Sequence, residues 1–334
     1  MAGQRPANAD ELLERVRRTG VLPATGAVVA MLSGGRDSVC LLDVLVRLCG
    51  SHAVHPLHVN YGLRDAAADE QRRCATLCER LGVPLQTVRA ARPPEPGNLQ
   101  AWARDVRYDA ALALATPLDG LIATGHTASD QAETILYRLA ASPGRRALLG
   151  MAARERRVIR PLLVLGREET AAYCRERRLP WSEDESNLSE RYARNRVRLQ
   201  LLPQLRAVHP AAESNLVRTA QLLREETELL DGLVDAELAG GANVALSRLE
   251  AMPAALARLV VVRLAEQARG ALVPQAGDRV AEILALGRRG GLAELHVGGG
   301  VGAVVRDGLL SMVRLPPRAG AGAARGARAA TERD

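Results

Sequence analysis

The chain of 334 residues contains no lysine and no phenylalanine, and aromatic residues make up only 2% of it. So few aromatic side chains argue against an RNA-binding module that stacks bases on aromatic platforms. The cysteines are odd in number and form no Cys-x-x-Cys pair, which argues against a disulfide framework and a zinc finger. We expect them to be small, buried, apolar residues on helices: Cys40, Cys49, Cys74, Cys78 and Cys174.

Long apolar runs are missing as well. No stretch reaches the roughly 20 residues of a membrane-spanning helix, and the first residues carry acids where a signal peptide would have an apolar core. We therefore expect a cytoplasmic, soluble protein with no membrane partner, and the sequence indicates no protein partner. The net charge of +7 is uneven: residues 138–206 hold sixteen arginines against eight acids. Such an excess fits either a solvated face or a phosphate-rich partner.

The most informative pattern present is a buried strand, a glycine turn and a helix. Residues 27–32 (AVVAML) form a continuous apolar run, and after the turn apolar residues recur at helical spacing from Val39 to Leu48. In the turn, glycines let the backbone approach an anion, and the first N–H groups of the helix point at it. The sequence therefore predicts a phosphate site formed by Ser33, Gly34, Gly35, Arg36, Asp37 and Ser38.

The six residues SGGRDS match neither of the commonest nucleotide loops. A Walker loop needs a lysine, which the chain lacks, and GxGxxG is absent from this position. SGGRDS resembles the SGGxDS loop of the PP-loop ATP pyrophosphatases, which split ATP between its α and β phosphates and transfer AMP to a substrate oxygen. A glycine turn without a ligand is the alternative, and the length and context of the motif disfavour it.

Strands and helices alternate over the first half of the chain. The strands are predicted at residues 27–32, 53–59, 85–88, 121–124 and 158–163. This alternation predicts an α/β domain over residues 1–210, with a doubly wound, mostly parallel five-stranded sheet whose ligands bind at the carboxyl strand ends. Pro56 disagrees with the pattern, because proline is rare inside central strands.

The second half predicts a smaller helical domain over residues 211–315. Helices are predicted at residues 210–239, 247–269 and 277–288, and two glycine turns flanked by β-type residues predict a terminal β-hairpin. Residues 316–334 lack apolar periodicity, which predicts a disordered tail.

A second motif, GHTASDQAET, follows the fourth strand and can face the phosphate loop across the sheet edge. A helix with Ser129 as its N-cap would place Asp130 and Glu133 in the first turn, where carboxylates are favourable. Alone, this is an ordinary capped helix. Because SGGRDS belongs to the same sheet, we predict that this second motif forms part of the nucleotide site.

Six segments in the same order resemble the tRNA(Ile)-lysidine synthase family. They cover about residues 20–210 and read SGGRDS, HVNYGLR, ARDVRY, GHTASDQAET, RPLL and WSEDESNLSERYARNRVR. The resemblance implies a PP-loop catalytic domain and the ligation of free L-lysine to a cytidine of isoleucine tRNA with the anticodon CAU. ATP would adenylate O2 of the wobble cytosine, and the lysine amine would then displace AMP from C2. Departure of pyrophosphate needs charge neutralisation, which backbone N–H groups and Mg²⁺ would supply.

The resemblance also implies roles for individual residues. Residues 33–38 would cradle the ATP phosphates, with Asp37 and Asp130 as candidate metal ligands. The candidate catalytic residues are Asp37, His126, Asp130 and Glu133. The candidate tRNA-binding residues are Arg104, Arg107, Asn187, Arg194, Asn195 and Arg198. The second domain would bind tRNA, or it would only stabilise the first.

Three places depart from the family pattern. Asn60 and Tyr61 replace an acid and a histidine, Ser129 replaces the first of two aspartates, and residues 140–144 replace an RGSG-like loop. The alternatives are a PP-loop thiolation enzyme, which would need cysteine pairs, and an amidating enzyme such as an NAD or GMP synthetase. A third is a degenerate paralogue that binds tRNA without catalysis.

Overall fold

The computed structural model describes residues 8–62, 67–91, 99–141, 145–182, 193–288 and 291–316. The chain divides into two compact units, of which one ends at Leu223 and the other begins at Arg224. No helix in the described part is long and apolar enough to cross a membrane. The predicted tail lies, beyond residue 316, outside the described residues.

The helices in chain order are α1 (Ala9–Arg18), α2 (Arg36–Cys49), α3 (Ala67–Leu81), α4 (Leu99–Ala115), α5 (Ala128–Ala141), α6 (Arg145–Leu148), α7 (Arg167–Glu176), α8 (Ala193–Arg196), α9 (Leu202–Val208), α10 (Ala212–Leu238), α11 (Leu246–Ala251), α12 (Ala254–Arg269) and α13 (Val280–Gly287). The strands are β1 (Val28–Met31), β2 (Val54–Asn60), β3 (Gln86–Arg89), β4 (Leu121–Ala123), β5 (Arg154–Glu155), β6 (Val158–Ile159), β7 (Asn243–Ala245), β8 (Ala293–Gly298), β9 (Val301–Arg306) and β10 (Leu309–Arg314).

Six strands of the described residues form one sheet in the order β3-β2-β1-β4-β6-β5. All pairings are parallel except that of β5 with β6. The predicted α/β class is thus confirmed, and the additional strand is the two-residue β5, which is too short to show a pattern. The predicted strand over residues 158–163 is wrong in length. Pro161, which has no N–H to donate, begins a 3₁₀ turn after β6.

Helices cover both faces of this sheet, and β1 is accordingly apolar at every position. Val28 and Ala30 pack into the cluster that includes α1, α2, α3 and α7. Val29 and Met31 point to the opposite face and pack against α4. This burial on both faces explains the continuous apolar run in the sequence.

Pro56 does lie within β2, opposite Ala30 of β1. Pairing with β3 begins one residue later, at Leu57, so the missing N–H of Pro56 removes no bond to that strand.

The second unit packs α11, α12, α13 and the end of α10 against an antiparallel sheet in the order β7-β10-β9-β8. The predicted terminal hairpin is therefore part of a four-stranded sheet. The predicted helix over residues 247–269 is wrong, because Pro253 separates α11 from α12 and stands as the N-cap of α12.

The cysteines are all free, and each lies on a helix of the first unit. Four are buried and Cys49 is half-buried, so the expected packing role is confirmed. Burial raises the pKa of Cys74 to about 11 and that of Cys78 to about 12.

Candidate active site

The phosphate loop (residues 33–38) leaves the carboxyl end of β1 and enters α2, whose N-cap is Gly35. The Ser38 hydroxyl closes the loop by donating to the Gly35 carbonyl at 2.8 Å and accepting from the Ser33 N–H at 3.1 Å. The first N–H groups of α2 have no earlier carbonyl of their helix to bond. The loop is therefore built to receive an anion.

Two glycines make this geometry accessible. Gly34 has a φ of +82°, a backbone conformation that residues other than glycine rarely adopt. At Gly125, which follows β4, a Cβ would lie 3.0 Å from the Asp37 carbonyl. The segment after β4 therefore packs directly on the phosphate loop.

Helix α5 begins at Ala128, so the predicted N-cap Ser129 is wrong and Thr127 caps the helix. The N–H and hydroxyl of Thr127 both donate to Asp130 Oδ2 at 2.9 Å. The Asp130 N–H is 3.4 Å from Thr127 Oγ1, which makes a reciprocal cap. Ser129 is buried and accepts from the backbone N–H of Arg167, so it joins α5 to the start of α7.

Two carboxylates and three guanidinium groups form a charged cluster of Asp130, Glu133, Arg167, Arg194 and Arg198. Glu133 is fully buried, and its oxygens lie 2.7 Å from Arg198 Nε, 3.3 Å from Arg194 Nε and 3.5 Å from Arg167 Nη1. Asp130 Oδ1 lies 3.2–3.6 Å from the same three groups. With three positive and two negative charges, the cluster is net cationic.

The arginines reach this cluster from separate elements. Arg167 is the first residue of α7, Arg194 is on α8, and Arg198 lies in the π-helical turn Val197–Leu201. Short π-helical segments are frequent at functional sites, because they shift a side chain relative to the preceding turns.

The charges act on the protonation of their neighbours. Burial opposes ionisation of Asp130, but the Arg167 and Arg194 guanidinium groups outweigh it and hold the pKa of Asp130 below its ordinary value. Burial lowers the pKa of His126 to about 4, with Arg194 and Arg160 contributing in the same direction. His126 is therefore uncharged near neutral pH, and its Nδ1 lies 2.7 Å from Thr124 Oγ1.

Asp37 of the phosphate loop connects that loop to the charged cluster. Its Oδ1 accepts from Thr170 Oγ1 at 2.6 Å and from Arg36 Nε at 3.0 Å. Its Oδ2 lies 3.8 Å from Arg167 Nε. Because Arg167 also contacts Asp130, one guanidinium group bridges the carboxylates of the two sequence motifs.

Helix α4 contributes Arg104, Arg107 and Tyr108 to the lining of the same cavity. The Arg104 guanidinium carbon lies 4.8 Å from the centre of the Tyr108 ring, a cation–π arrangement. The Tyr108 hydroxyl is buried and has no hydrogen-bond partner among the described residues.

The departures at Asn60 and Tyr61 make structural contacts. Asn60 donates to Gln71 on α3 at 2.9 Å and accepts from the Gly62 N–H at 2.9 Å. Tyr61 donates to the Ala103 carbonyl at 3.0 Å and meets Trp102 edge to face, with ring centres 5.7 Å apart. These contacts join the end of β2 and the residue after it to α3 and α4.

A cavity of about 730 Å³ joins these groups, a volume typical of small-molecule sites. Its lining includes most of the predicted site residues: Ser33, Gly35, Arg36, Asp37, Ser38, Arg104, Arg107, His126, Asp130 and Arg198. The other predicted residues within the described ranges do not line the cavity. Gly34 lies in the loop next to Cys74 and Ser182, Glu133 and Arg194 belong to the charged cluster, and Asn195 lies on α8. Asn187 and residues 142–144 lie outside the described residues.

Sequence reasoning missed three residues of the site. Arg167 and Thr170 belong to α7, which contains no motif, and Ser182 donates its N–H to the Gly34 carbonyl at 3.0 Å. The excess of arginine between residues 138 and 206 was the only signal near Arg167. Nothing in the sequence singles out Thr170, and Ser182 lies at the start of the segment WSEDESNLSERYARNRVR without a predicted role.

Asp37 and Asp130 could hold a divalent cation if Arg167 moved away from them. The described residues contain no group of three metal-ligating side chains. Mg²⁺, however, is commonly held by one or two carboxylates together with phosphate oxygens. Asp37 and Asp130 line the cavity and share one guanidinium group, so they fit such a site if Arg167 yields to the cation.

Comparison with known proteins places the fold and site in a class. The PP-loop domain family model matches residues 7–205. The U34-tRNA thiolase NcsA from Methanococcus maripaludis, a structure with a [4Fe-4S] cluster, superimposes with a TM-score of 0.55 at 19% identity, over 64% of this chain and 78% of that one. The first unit is thus a PP-loop domain.

Curated relatives show to which family of PP-loop proteins the chain belongs. A tRNA(Ile)-lysidine synthase from Gloeobacter violaceus is 39% identical over 73% of this chain and 78% of its own length. One from Pseudomonas fluorescens is 39% identical over 62% of this chain and 48% of its own length. The chain therefore belongs to the tRNA(Ile)-lysidine synthase family, although it spans only about half the length of some of these relatives.

Proposed function

We propose that the protein ligates free L-lysine to C2 of the wobble cytidine of isoleucine tRNA with the anticodon CAU. In the first step, cytosine O2 attacks the α-phosphorus of ATP and pyrophosphate leaves. In the second, the lysine amine bonds to C2, the C2–O2 bond breaks, AMP leaves and the amine loses a proton. The observation that carries the proposal is one cavity that joins the phosphate loop, the charged cluster and the basic wall of α4.

The phosphate loop supports the first step. Its backbone N–H groups and Ser33 and Ser38 would bind the departing pyrophosphate, and the net positive charge of the cluster would stabilise the charge that develops on it. Mg²⁺ held by Asp37 and Asp130 would neutralise phosphate charge further. Arg104 and Arg107 line the cavity, where they would bind a phosphate of the tRNA or of the nucleotide.

The charged cluster supports the second step. Asp130 lines the cavity, as do Asp37 and Glu70, and it is ionised, so it could attract the ammonium group of lysine. Glu133, a candidate catalytic residue, is fully buried, and it would act by holding Arg194 and Arg198 in place. His126 is neutral and would offer a hydrogen bond to the reacting base without adding charge.

Two further parts of the proposal concern the binding of tRNA. Asn187, Arg194, Asn195 and Arg198 would bind the anticodon stem-loop, with arginines on phosphates that fix register. The domain after residue 210 would bind another part of the tRNA. The thiolation alternative loses support because the described residues that line the cavity include no cysteine, and because burial raises the pKa of Cys74 and Cys78.

The test is release of AMP from ATP by the wild-type protein and by the Asp37→Ala variant, with and without isoleucine tRNA transcript and lysine. Wild-type release should require both substrates. The variant should lose about 100-fold to 1000-fold in rate, the scale of removing a group that stabilises developing charge, while it keeps its affinity for tRNA. Normal release by Asp37→Ala would refute this reading of the loop. No release by the wild type, together with tight tRNA binding, would favour the degenerate paralogue.

A further inference from the structure

Thr170 contacts a predicted catalytic residue from a helix that carries no motif. It is fully buried on α7, and its hydroxyl lies 2.6 Å from Asp37 Oδ1 and 2.9 Å from the Arg167 carbonyl. A threonine hydroxyl has one proton to donate. The shorter contact to the charged acceptor is the stronger bond, so the proton belongs on the line to Asp37.

The two oxygens of Asp37 are held unequally. Oδ1 has the Thr170 hydroxyl and Arg36 Nε at 3.0 Å, whereas the contacts of Oδ2 with the described part of the chain are longer, 3.4 Å to Arg36 and 3.8 Å to Arg167. The last torsion of an aspartate side chain is broad and easily turned. A strong bond at Oδ1 therefore selects one orientation, in which Oδ2 remains available to a ligand in the cavity.

Helix α7 is itself fixed, so Thr170 cannot follow a moving carboxylate. The Tyr173 hydroxyl donates to the buried Asp43 of α2 at 2.5 Å, and Cys174 Sγ lies 3.6 Å from the Arg36 carbonyl. At the start of α7, the Arg167 N–H donates to Ser129. These contacts bind α7 to α2 and α5 on both sides of Thr170.

We propose that Thr170 is a positioning residue, which orients Asp37 so that Oδ2 meets the metal–nucleotide complex. This inference rests on the proposed function in one respect, namely that Asp37 is the carboxylate that meets Mg²⁺-bound ATP. The hydroxyl alone carries the effect, because valine would fill the same volume without orienting Asp37.

The experiment compares Thr170→Val, Thr170→Ser and wild type in the full chain. Calorimetric titration with α,β-methylene ATP, which cannot be split at that bond, gives the affinity with and without Mg²⁺. The gain in affinity on adding Mg²⁺ should fall about 10-fold to 100-fold in Thr170→Val, the scale of losing a hydrogen bond to a charged group. It should stay near wild type in Thr170→Ser, which keeps the hydroxyl.

Thr116→Val is the matched control, because Thr116 is exposed and its hydroxyl donates to the Leu112 carbonyl at 2.7 Å, away from the site. Its titration should equal that of wild type. A Thr170→Val protein with wild-type dependence on Mg²⁺ would overturn the proposal, and so would a Thr170→Ser protein as weak as Thr170→Val. Failure of the proposed function would look different, since wild type would bind Mg²⁺ and the analogue but add no lysine to tRNA.

Discussion

The two compact units bury different kinds of residue. Among the described residues, twelve polar or charged side chains are buried, and Thr227 is the only one of them in the second unit. The others belong to the first unit: Ser38, Asp43, His58, Thr124, Thr127, Ser129, Asp130, Gln131, Glu133, Arg160 and Thr170. The core of the second unit is formed by aliphatic residues of α10–α13 and its sheet.

This difference indicates which unit carries chemistry. Burying polar groups costs free energy unless each is paired, and an apolar interior of the same volume is often at least as stable. In the first unit, four of these buried polar residues line the cavity, namely Ser38, His58, Thr124 and Asp130, and Thr170 contacts Asp37 of the phosphate loop. The second unit shows the interior expected where packing alone decides.

The largest expected effect on stability is at Glu133. Glu133→Gln leaves Asp130 as the one carboxylate of the charged cluster beside three guanidinium groups, and breaking a buried ion pair from one side costs about 3–5 kcal/mol. The midpoint of urea unfolding, followed by circular dichroism, should fall accordingly. A midpoint equal to that of wild type would mean that the charged cluster is not stabilised by this carboxylate.

A smaller and pH-dependent effect is expected at His126. Its pKa of about 4 in the folded protein lies below that of the unfolded chain, so the unfolded state binds more protons between about pH 4 and 6.5. Stability should therefore fall as the pH drops through this window, by up to about 3 kcal/mol from this residue. His126→Gln should flatten that part of the curve of unfolding free energy against pH, measured without metal or nucleotide. An unchanged slope would contradict the low pKa.

The smallest effect is expected in the second unit. Glu237 pairs with the exposed Arg248 at 2.6 Å, and exposed ion pairs contribute little because water and salt screen them. Glu237→Gln makes the same chemical change as Glu133→Gln and should leave the unfolding midpoint nearly unchanged. Equal losses in the two variants would remove the contrast between the units.

The parts of the fold and site that follow from sequence are those with a local cause. The apolar run of β1 and the glycine turn after it predict the phosphate loop, because both depend on neighbouring residues. Asp130 was correctly placed beside that loop, since parallel strands deliver their carboxyl ends to one edge of the sheet.

The remainder depends on contacts between distant segments. Thr170 reaches Asp37 across 133 positions, and Arg198 reaches Glu133 across 65, so no local pattern marks either pair. The cap of α5 was misassigned for a smaller reason. Thr127 and Ser129 are both good N-caps, and the reciprocal bonds of Thr127 with Asp130 decide between them.

The most direct test of the central claim is transfer of radiolabelled lysine to an isoleucine tRNA transcript with the anticodon CAU, in the presence of Mg²⁺ and ATP. We expect label in the tRNA, one AMP released for each lysine added, and neither product with a transcript whose first anticodon base is guanine. AMP release without label in the tRNA, or label in both transcripts alike, would contradict the proposed ligation at the wobble cytidine.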